Sequence, residues 1–424
     1  MKAFSIKKIG SAFGIDEYRL SNGLRVLYKK ESAAPVVAVC VTFHVGSRNE
    51  AKGHTGATHI LEHLLFKDSK KFNKANGNAI TNYLEWFGAY INATTWLDRT
   101  NYFELVPKER VREALELEAD RMRGSLFNDA DLASEMTVVR NEYERSRNNP
   151  FELLDEEVLY KVFTKHPYRI PTIGLKEDIE GSTAKKLREF YDMFYWPNNA
   201  TLSVFGDVSW RGVQAQVLKQ FGPISMSPYP IPALTVQEPE QKSARSVSLK
   251  KHMGVSVAEL SYKVPRGTHK DFPAVLLLST IMAGGYSSRM EQTLVNTGLA
   301  SEVSTFCHPL FDEGFTNFIA QCASGNSPKA VAAAMRKEIE AVGERGVTHE
   351  ELAHARERVL AEGSASTDGV FNEIRTVSES TSAGDWALAY KIEQAVKKTT
   401  PVDIKRVAKK YFNTSKETAG LLTQ

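Results

Sequence analysis

The chain opens on short runs of alternating and β-branched apolar residues. Residues 17–46 carry a strand pattern broken by a turn at Ser21-Asn22-Gly23. It continues through Arg25-Val26-Leu27-Tyr28 and ends in Val36-Val37-Ala38-Val39-Cys40-Val41-Thr42-Phe43, the pattern of a buried strand. Helical spacing begins near Thr55 and recurs over 78–87, 110–122, 129–147, 152–160 and 184–194, whereas 90–96, 101–106 and 200–205 read as strands. Strands and helices intermix, which predicts an α+β class built on mostly antiparallel sheets packed with helices.

Proline then interrupts the pattern. Pro223, Pro228, Pro230, Pro232 and Pro239, with serine and glutamine between them, leave no room for a regular element and read as a semi-rigid linker. The expected organisation is an N-terminal domain over 1–228, a linker over 229–245 and a C-terminal domain over 246–424. After the linker the order starts again: strands near 248–249 and 256–263, an apolar helix over 273–283, and helices near 329–342 and 350–363. Aligning Phe43-His44-Val45-Gly46 with Tyr262-Lys263-Val264-Pro265 sets His59-Ile60-Leu61-Glu62-His63 opposite Leu278-Ser279-Thr280-Ile281-Met282. The pattern predicts two similar domains related by internal duplication, of which only the first keeps ligand-type residues. A chance match of two α+β halves is the alternative.

Composition narrows the classes. A chain of 424 residues exceeds one ordinary domain. Its 54 Lys+Arg against 51 Asp+Glu, with 42% hydrophobic and 25% charged residues, disfavour both disorder and a dedicated nucleic-acid binder. Cys40, Cys307 and Cys322 are odd in number and form no CxxC pair, so neither a disulfide scaffold nor a cysteine-held metal is signalled. Lys7 and Lys8 interrupt the N-terminal apolar stretch before a secretory signal could form. The apolar run from Pro35 to Phe43 is far too short to span a membrane. The expectation is a soluble, cytoplasmic protein without a membrane span, periplasmic if a leader was removed.

The chemistry concentrates in His59-Ile60-Leu61-Glu62-His63, an H-x-x-E-H pattern. On a helix, residues four apart sit about 40° apart, so both imidazoles can reach one ion. Glu62, beside them, suits a carboxylate that takes a proton from the attacking water at a metal. Catalytic zinc takes three protein ligands and keeps one position open, so a further ligand must come from elsewhere in the chain. Glu135 and Glu142 are candidates: seven residues apart, they share one helix face with Val138 and Val139. Carboxylates on an inward face are costly unless paired or metal-bound. Glu144 falls on another face and reads as solvated. The alternative for Glu135 and Glu142 is that both are surface charges.

The stretches Gly46-Ser47-Arg48-Asn49-Glu50 and Gly53-His54-Thr55-Gly56-Ala57-Thr58-His59-Ile60-Leu61-Glu62-His63-Leu64-Leu65-Phe66 resemble the signature of the pitrilysin and mitochondrial-processing-peptidase family, the inverted zincins. Asn92-Ala93-Thr94, the Glu135/Glu142 segment ending in Asn148-Asn149-Pro150, His166-Pro167-Tyr168, Pro197-Asn198-Asn199-Ala200, Gly206-Asp207-Val208 and Gly284-Gly285-Tyr286-Ser287-Ser288-Arg289 follow in family order. The resemblance thus covers nearly the whole chain. It implies one zinc per chain ligated by His59, His63 and Glu142, with Glu62 as general base and Glu135 as a supporting carboxylate that steadies a histidine. It also implies that Asn92 and Ala93 lie on an edge strand that pairs with the backbone of a peptide substrate. An inner strand with Asn92 capping a turn is the plainer alternative.

One segment departs from the family. Where relatives offer an arginine and a tyrosine to the substrate, in a pattern like L-R-x-x-x-G-L-A-Y, this chain reads Leu294-Val295-Asn296-Thr297-Gly298-Leu299-Ala300-Ser301. Val295 and Ser301 stand at those places, and Arg289 or Tyr286 are the residues that could compensate. Two domains are half of the family's four-domain peptide chamber. The expectation is therefore a zinc endopeptidase subunit acting on unfolded peptides beside a homologous partner that carries the arginine and tyrosine, a homodimer being the alternative arrangement. The alternative function is a catalytically silent, structural or peptide-holding subunit.

Overall fold

The computed structural model describes residues 4–424. Among them twelve strands make two sheets. The first contains β1 (Ile6–Ala12), β2 (Ile15–Leu20), β3 (Arg25–Lys30), β4 (Val36–Phe43), β5 (Tyr90–Thr95), β6 (Thr100–Pro107) and β7 (Ala200–Gly206). Their spatial order is β1-β2-β3-β7-β4-β6-β5. The second contains β8 (Arg245–Lys250), β9 (Val257–Val264), β10 (Ala300–Cys307), β11 (Gly314–Cys322) and β12 (Glu417–Thr423), in the order β8-β12-β9-β11-β10. Without the β1–β2 hairpin the two orders are the same. The pairing directions agree as well: β3 with β7 and β8 with β12 are parallel, and the remaining pairs are antiparallel. The duplication expected from the repeated order of elements is thus visible strand by strand, and the α+β class holds. Between Gln220 and Arg245 no helix or strand forms.

Residues Val37 to Phe43 of β4 are all buried. Each branched side chain taken fully out of water there contributes on the order of 1.5–3 kcal/mol before the entropy of ordering it is counted. The chain forms two compact units, and neither follows it linearly. One contains residues through Asn141, Pro171–Thr235 and Ser366–Ser382; the other contains Glu142–Ile170, Val236–Ala365 and Ala383–Gln424. In the first unit the late helix Gly369–Ser382 lies on the sheet. Ser378 Oγ sits 3.1 Å from both Cys40 Sγ and Thr42 Oγ1, Lys29 pairs with Glu373 and Arg99 with Glu379. In the second unit the early helix Pro150–Val162 packs on β8, β9 and β12, where Asn317 donates to Asp155 at 3.0 Å. Among the described residues no helix is long and apolar enough to cross a membrane.

Candidate metal centre

The helix that carries the H-x-x-E-H residues, Ala57–Leu64, starts from a glycine that nothing else could replace. Gly56 has φ 87°, and a Cβ there would stand 2.5 Å from the Ile173 carbonyl oxygen, so both backbone and space demand glycine. Gly56 brings no side chain to cap the helix, and Glu50 does so instead. Its carboxylate accepts from the amides of Gly56 at 2.8 Å and Thr58 at 2.7 Å. Burial pushes the Glu50 carboxyl up to about 8 against the pull of those amides. Asp178 fixes the preceding turn, accepting from the Thr55 amide at 3.1 Å and its hydroxyl at 2.7 Å.

Ile60, Leu61 and Leu64 take the buried side of this helix, which leaves His59, Glu62 and His63 half-buried on another. The two imidazole rings lie 4.8 Å apart, nearly perpendicular at 78°. Burial, and then the neighbouring His63, pull His59 down to about 4. Its ring is therefore neutral at physiological pH, the form that ligates a metal. Tyr102 and Tyr195 are buried; burial first, with the charge of Glu62 adding to it and, at Tyr195, against the hydrogen bonds with Thr100 and Tyr102, raises their hydroxyls well above the ordinary value and keeps them protonated.

The helix Asp129–Arg147 has the span its spacing predicts. Its buried residues are Leu132, Glu135, Met136 and Val139. Val138, expected on the same inward face as Glu135, is 42% exposed, because the stripe passes through position 139 and turns 138 outward. Glu144 is exposed, as expected. Glu135 accepts from His63 Nδ1 at 3.0 Å and pairs with Lys67. Burial alone would raise the Glu135 carboxyl, but the bonds from Lys67 and His63 outweigh it and hold it low. An ionised carboxylate only accepts, so Nδ1 of His63 carries a proton, and in the neutral ring the other nitrogen is the one that offers a lone pair.

Glu142 follows on the same unbroken helix, although the boundary between compact units falls between Asn141 and Glu142. One ligand atom from each of His59, His63 and Glu142 lies within 4.8 Å of the others. Two imidazole nitrogens and one carboxylate oxygen are a zinc donor set. Donors around tetrahedral zinc stand about 3.3 Å apart, so small side-chain rotations would close the shell and leave a fourth position open. The residues therefore fit the metal.

The motif helix packs against β5, and β5 is the last strand of its sheet. Asn92 is exposed on it and Ala93 is buried. The Ala93 amide donates to Asn92 Oδ1 at 2.8 Å, and Asn92 Nδ2 donates to the Tyr90 hydroxyl at 3.3 Å. In the second unit, Val295 packs at the margin of the core and Ser301 is exposed on β10. Arg289, a candidate to compensate for them, is committed to a two-pronged pair with Glu351 at 2.5 and 3.0 Å and donates to the Gly346 carbonyl at 3.1 Å. Tyr286 is 89% exposed. Sequence reasoning missed Glu50, Asp178 and Lys67 as parts of the site. Glu50 lies inside the quoted signature but too far before the helix for a local capping pattern, and Asp178 comes from a distant turn.

Residues 25–176 match the family model described as Insulinase (Peptidase family M16), and residues 182–359 match the model described as Peptidase M16 inactive domain. The H-x-x-E-H residues fall within the first. Zinc protease PqqE of Helicobacter pylori is 30% identical over the full length of both chains. The crystal structure of a protease from the same organism superposes with TM-score 0.91 at 28% identity, over 97% of this chain and 99% of that one. A peptidase M16 inactive domain from Pseudomonas fluorescens shares the fold, with TM-score 0.86 at 18% identity over 96% of this chain and 97% of its own. Two consecutive family models and a full-length relative at this identity mean that the chain belongs to peptidase family M16.

Proposed function

We propose that this chain is a zinc metalloendopeptidase subunit that hydrolyses unfolded peptides, with one zinc held by His59, His63 and Glu142. The observation that carries the reading is the convergence of their three donor atoms within 4.8 Å, backed by the buried carboxylate of Glu135 on His63. Zinc bound there would polarise the scissile carbonyl and acidify the attacking water. Glu62, next to His63 on the motif helix, accepts that water's proton and returns it to the leaving amine nitrogen. Glu135 keeps His63 in one tautomer and one orientation. The open edge of β5 pairs with the peptide backbone at Asn92 and Ala93, the incoming carbonyl taking over the Ala93 amide that Asn92 Oδ1 now occupies. Main-chain pairing favours extended, unfolded substrates with little regard to sequence. Glu62→Gln tests the reading: turnover of a quenched peptide should fall by about 10²–10⁴-fold with the metal retained. Near-normal turnover would remove Glu62 as the base.

The second wall of the peptide site comes, in this reading, from a homologous partner chain that carries the arginine and tyrosine. Val295 and Ser301 offer no such groups, and Arg289 is held by Glu351. A peptide misplaced by about 1 Å over the metal reacts on the order of a hundredfold more slowly. The lone chain should therefore turn over weakly, gain activity on mixing with its partner, and be partly rescued by Val295→Arg with Ser301→Tyr. A homodimer with full turnover, unimproved by those two changes, would refute the division of labour and leave the zinc reading untouched.

A further inference from the structure

The two faces of β5 differ at its open edge. Side chains alternate along a strand, and Ile91 goes into the apolar cluster of Phe72, Ile80, Leu84 and Leu117, with Phe66 beside it. Tyr90 and Asn92 take the opposite face, where Tyr90 meets Phe103 of β6 and Phe371 of the helix Gly369–Ser382. The Tyr90 ring is 49% exposed, yet it is fixed. It stands edge-on to Phe371 at 5.6 Å and 84°, lies 6.3 Å from Phe103, and its hydroxyl accepts from Asn92 at 3.3 Å. Phe103 and Phe371 are themselves edge-on at 5.6 Å. The exposed guanidinium of Arg375 lies 5.9 Å from the Phe371 centroid. All of these residues belong to one compact unit.

We propose that Tyr90 and Phe371 form a subsite that selects an aromatic side chain of the substrate, at the peptide position lying opposite Tyr90 across the edge of β5. The proposal rests on the reading that the peptide pairs with β5. Directly opposed side chains on one face of a strand pair approach to about 4.5–5.5 Å at Cβ. A ring in that place covers the wet side of Tyr90 and completes an edge-on cluster with Phe371. A small side chain leaves both rings in water, and a basic one meets the charge of Arg375. Strand alternation confines the preference to one position, since the residues on either side point to the other face.

The test is a family of quenched unfolded peptides with Phe, Leu, Ala or Lys scanned through each position, plus versions N-methylated at alternate residues. They are read as kcat/KM with the active protein and as binding by fluorescence anisotropy with the Glu62→Gln chain. The wild type should favour Phe over Ala at one position by about threefold to tenfold, with Lys poorest, chiefly through KM. Tyr90→Ala and Phe371→Ala should bring that Phe-to-Ala ratio close to one, and Tyr90→Phe should retain it. A merely structural role for the two rings would lower all peptides together and leave the ratio intact, which would overturn the subsite. Sensitivity to N-methylation without an aromatic preference would also overturn the subsite and spare pairing to β5. Indifference to N-methylation would overturn the pairing itself.

Discussion

The helices Ala57–Leu64 and Phe272–Ala283 follow equivalent strands, β4 and β9, in sheets of the same strand order, and they serve opposite ends. In the second every residue but Leu276 is buried, as expected of a helix apolar on all sides. In the first, His59, Glu62 and His63 form a half-buried polar face beside the apolar side of Ile60, Leu61 and Leu64. A half-buried polar face needs partners, and Glu135 on His63 is one; the start of the helix is held from outside as well, by Glu50 on its first amides and Asp178 on the turn before it. One frame thus supports either a core helix or a ligand-bearing helix, and the difference lies in residues outside the helix as much as in it.

Writing the motif into the second helix breaks the comparison most visibly. Leu278 is 1% exposed, and Leu278→His removes a core side chain while burying a polar ring without partners, a loss on the order of 3–5 kcal/mol. The denaturant midpoint should drop accordingly, and adding Met282→His should bring no second zinc. Retained stability together with a second equivalent of metal would mean that the helix alone, not its surroundings, makes the site.

Removing a support from the first helix has a smaller effect. Glu50→Ala leaves two helix-terminal amides without their acceptor and should cost about 1–2 kcal/mol. The folded-state value of Glu50, about 8, lies above the ordinary 4.5, so the native state holds this proton more tightly than the unfolded one. The contribution of this proton is full below 4.5 and fades as pH rises toward 8. The gap between wild type and Glu50→Ala should therefore be wider at pH 5 than at pH 8. An equal gap at both would show that the carboxylate is ionised throughout.

The motif helix and the Asp129–Arg147 helix were legible because their ligand spacing and apolar stripe are local. The strand order repeated in both sheets could be inferred only coarsely, from one alignment of β4 with β9. The helix Gly369–Ser382 was not anticipated. Its buried face carries Ser378, Ser380, Thr381 and Glu373; of these, Ser378 meets Cys40 and Thr42 and Glu373 meets Lys29, more than three hundred positions earlier. Glu50 and Asp178 escaped for the same reason: their roles exist only once distant segments meet. The pair of Arg289 with Glu351 likewise joins segments far apart in sequence, and either residue alone reads as a surface charge.

Zinc content per chain decides whether His59, His63 and Glu142 hold a metal. Gently purified wild type and His54→Ala should each carry one zinc. His59→Ala, His63→Ala and Glu142→Ala should carry almost none, and Glu135→Gln should bind zinc about 10–100-fold more weakly. Undiminished zinc in His63→Ala or Glu142→Ala would contradict the account.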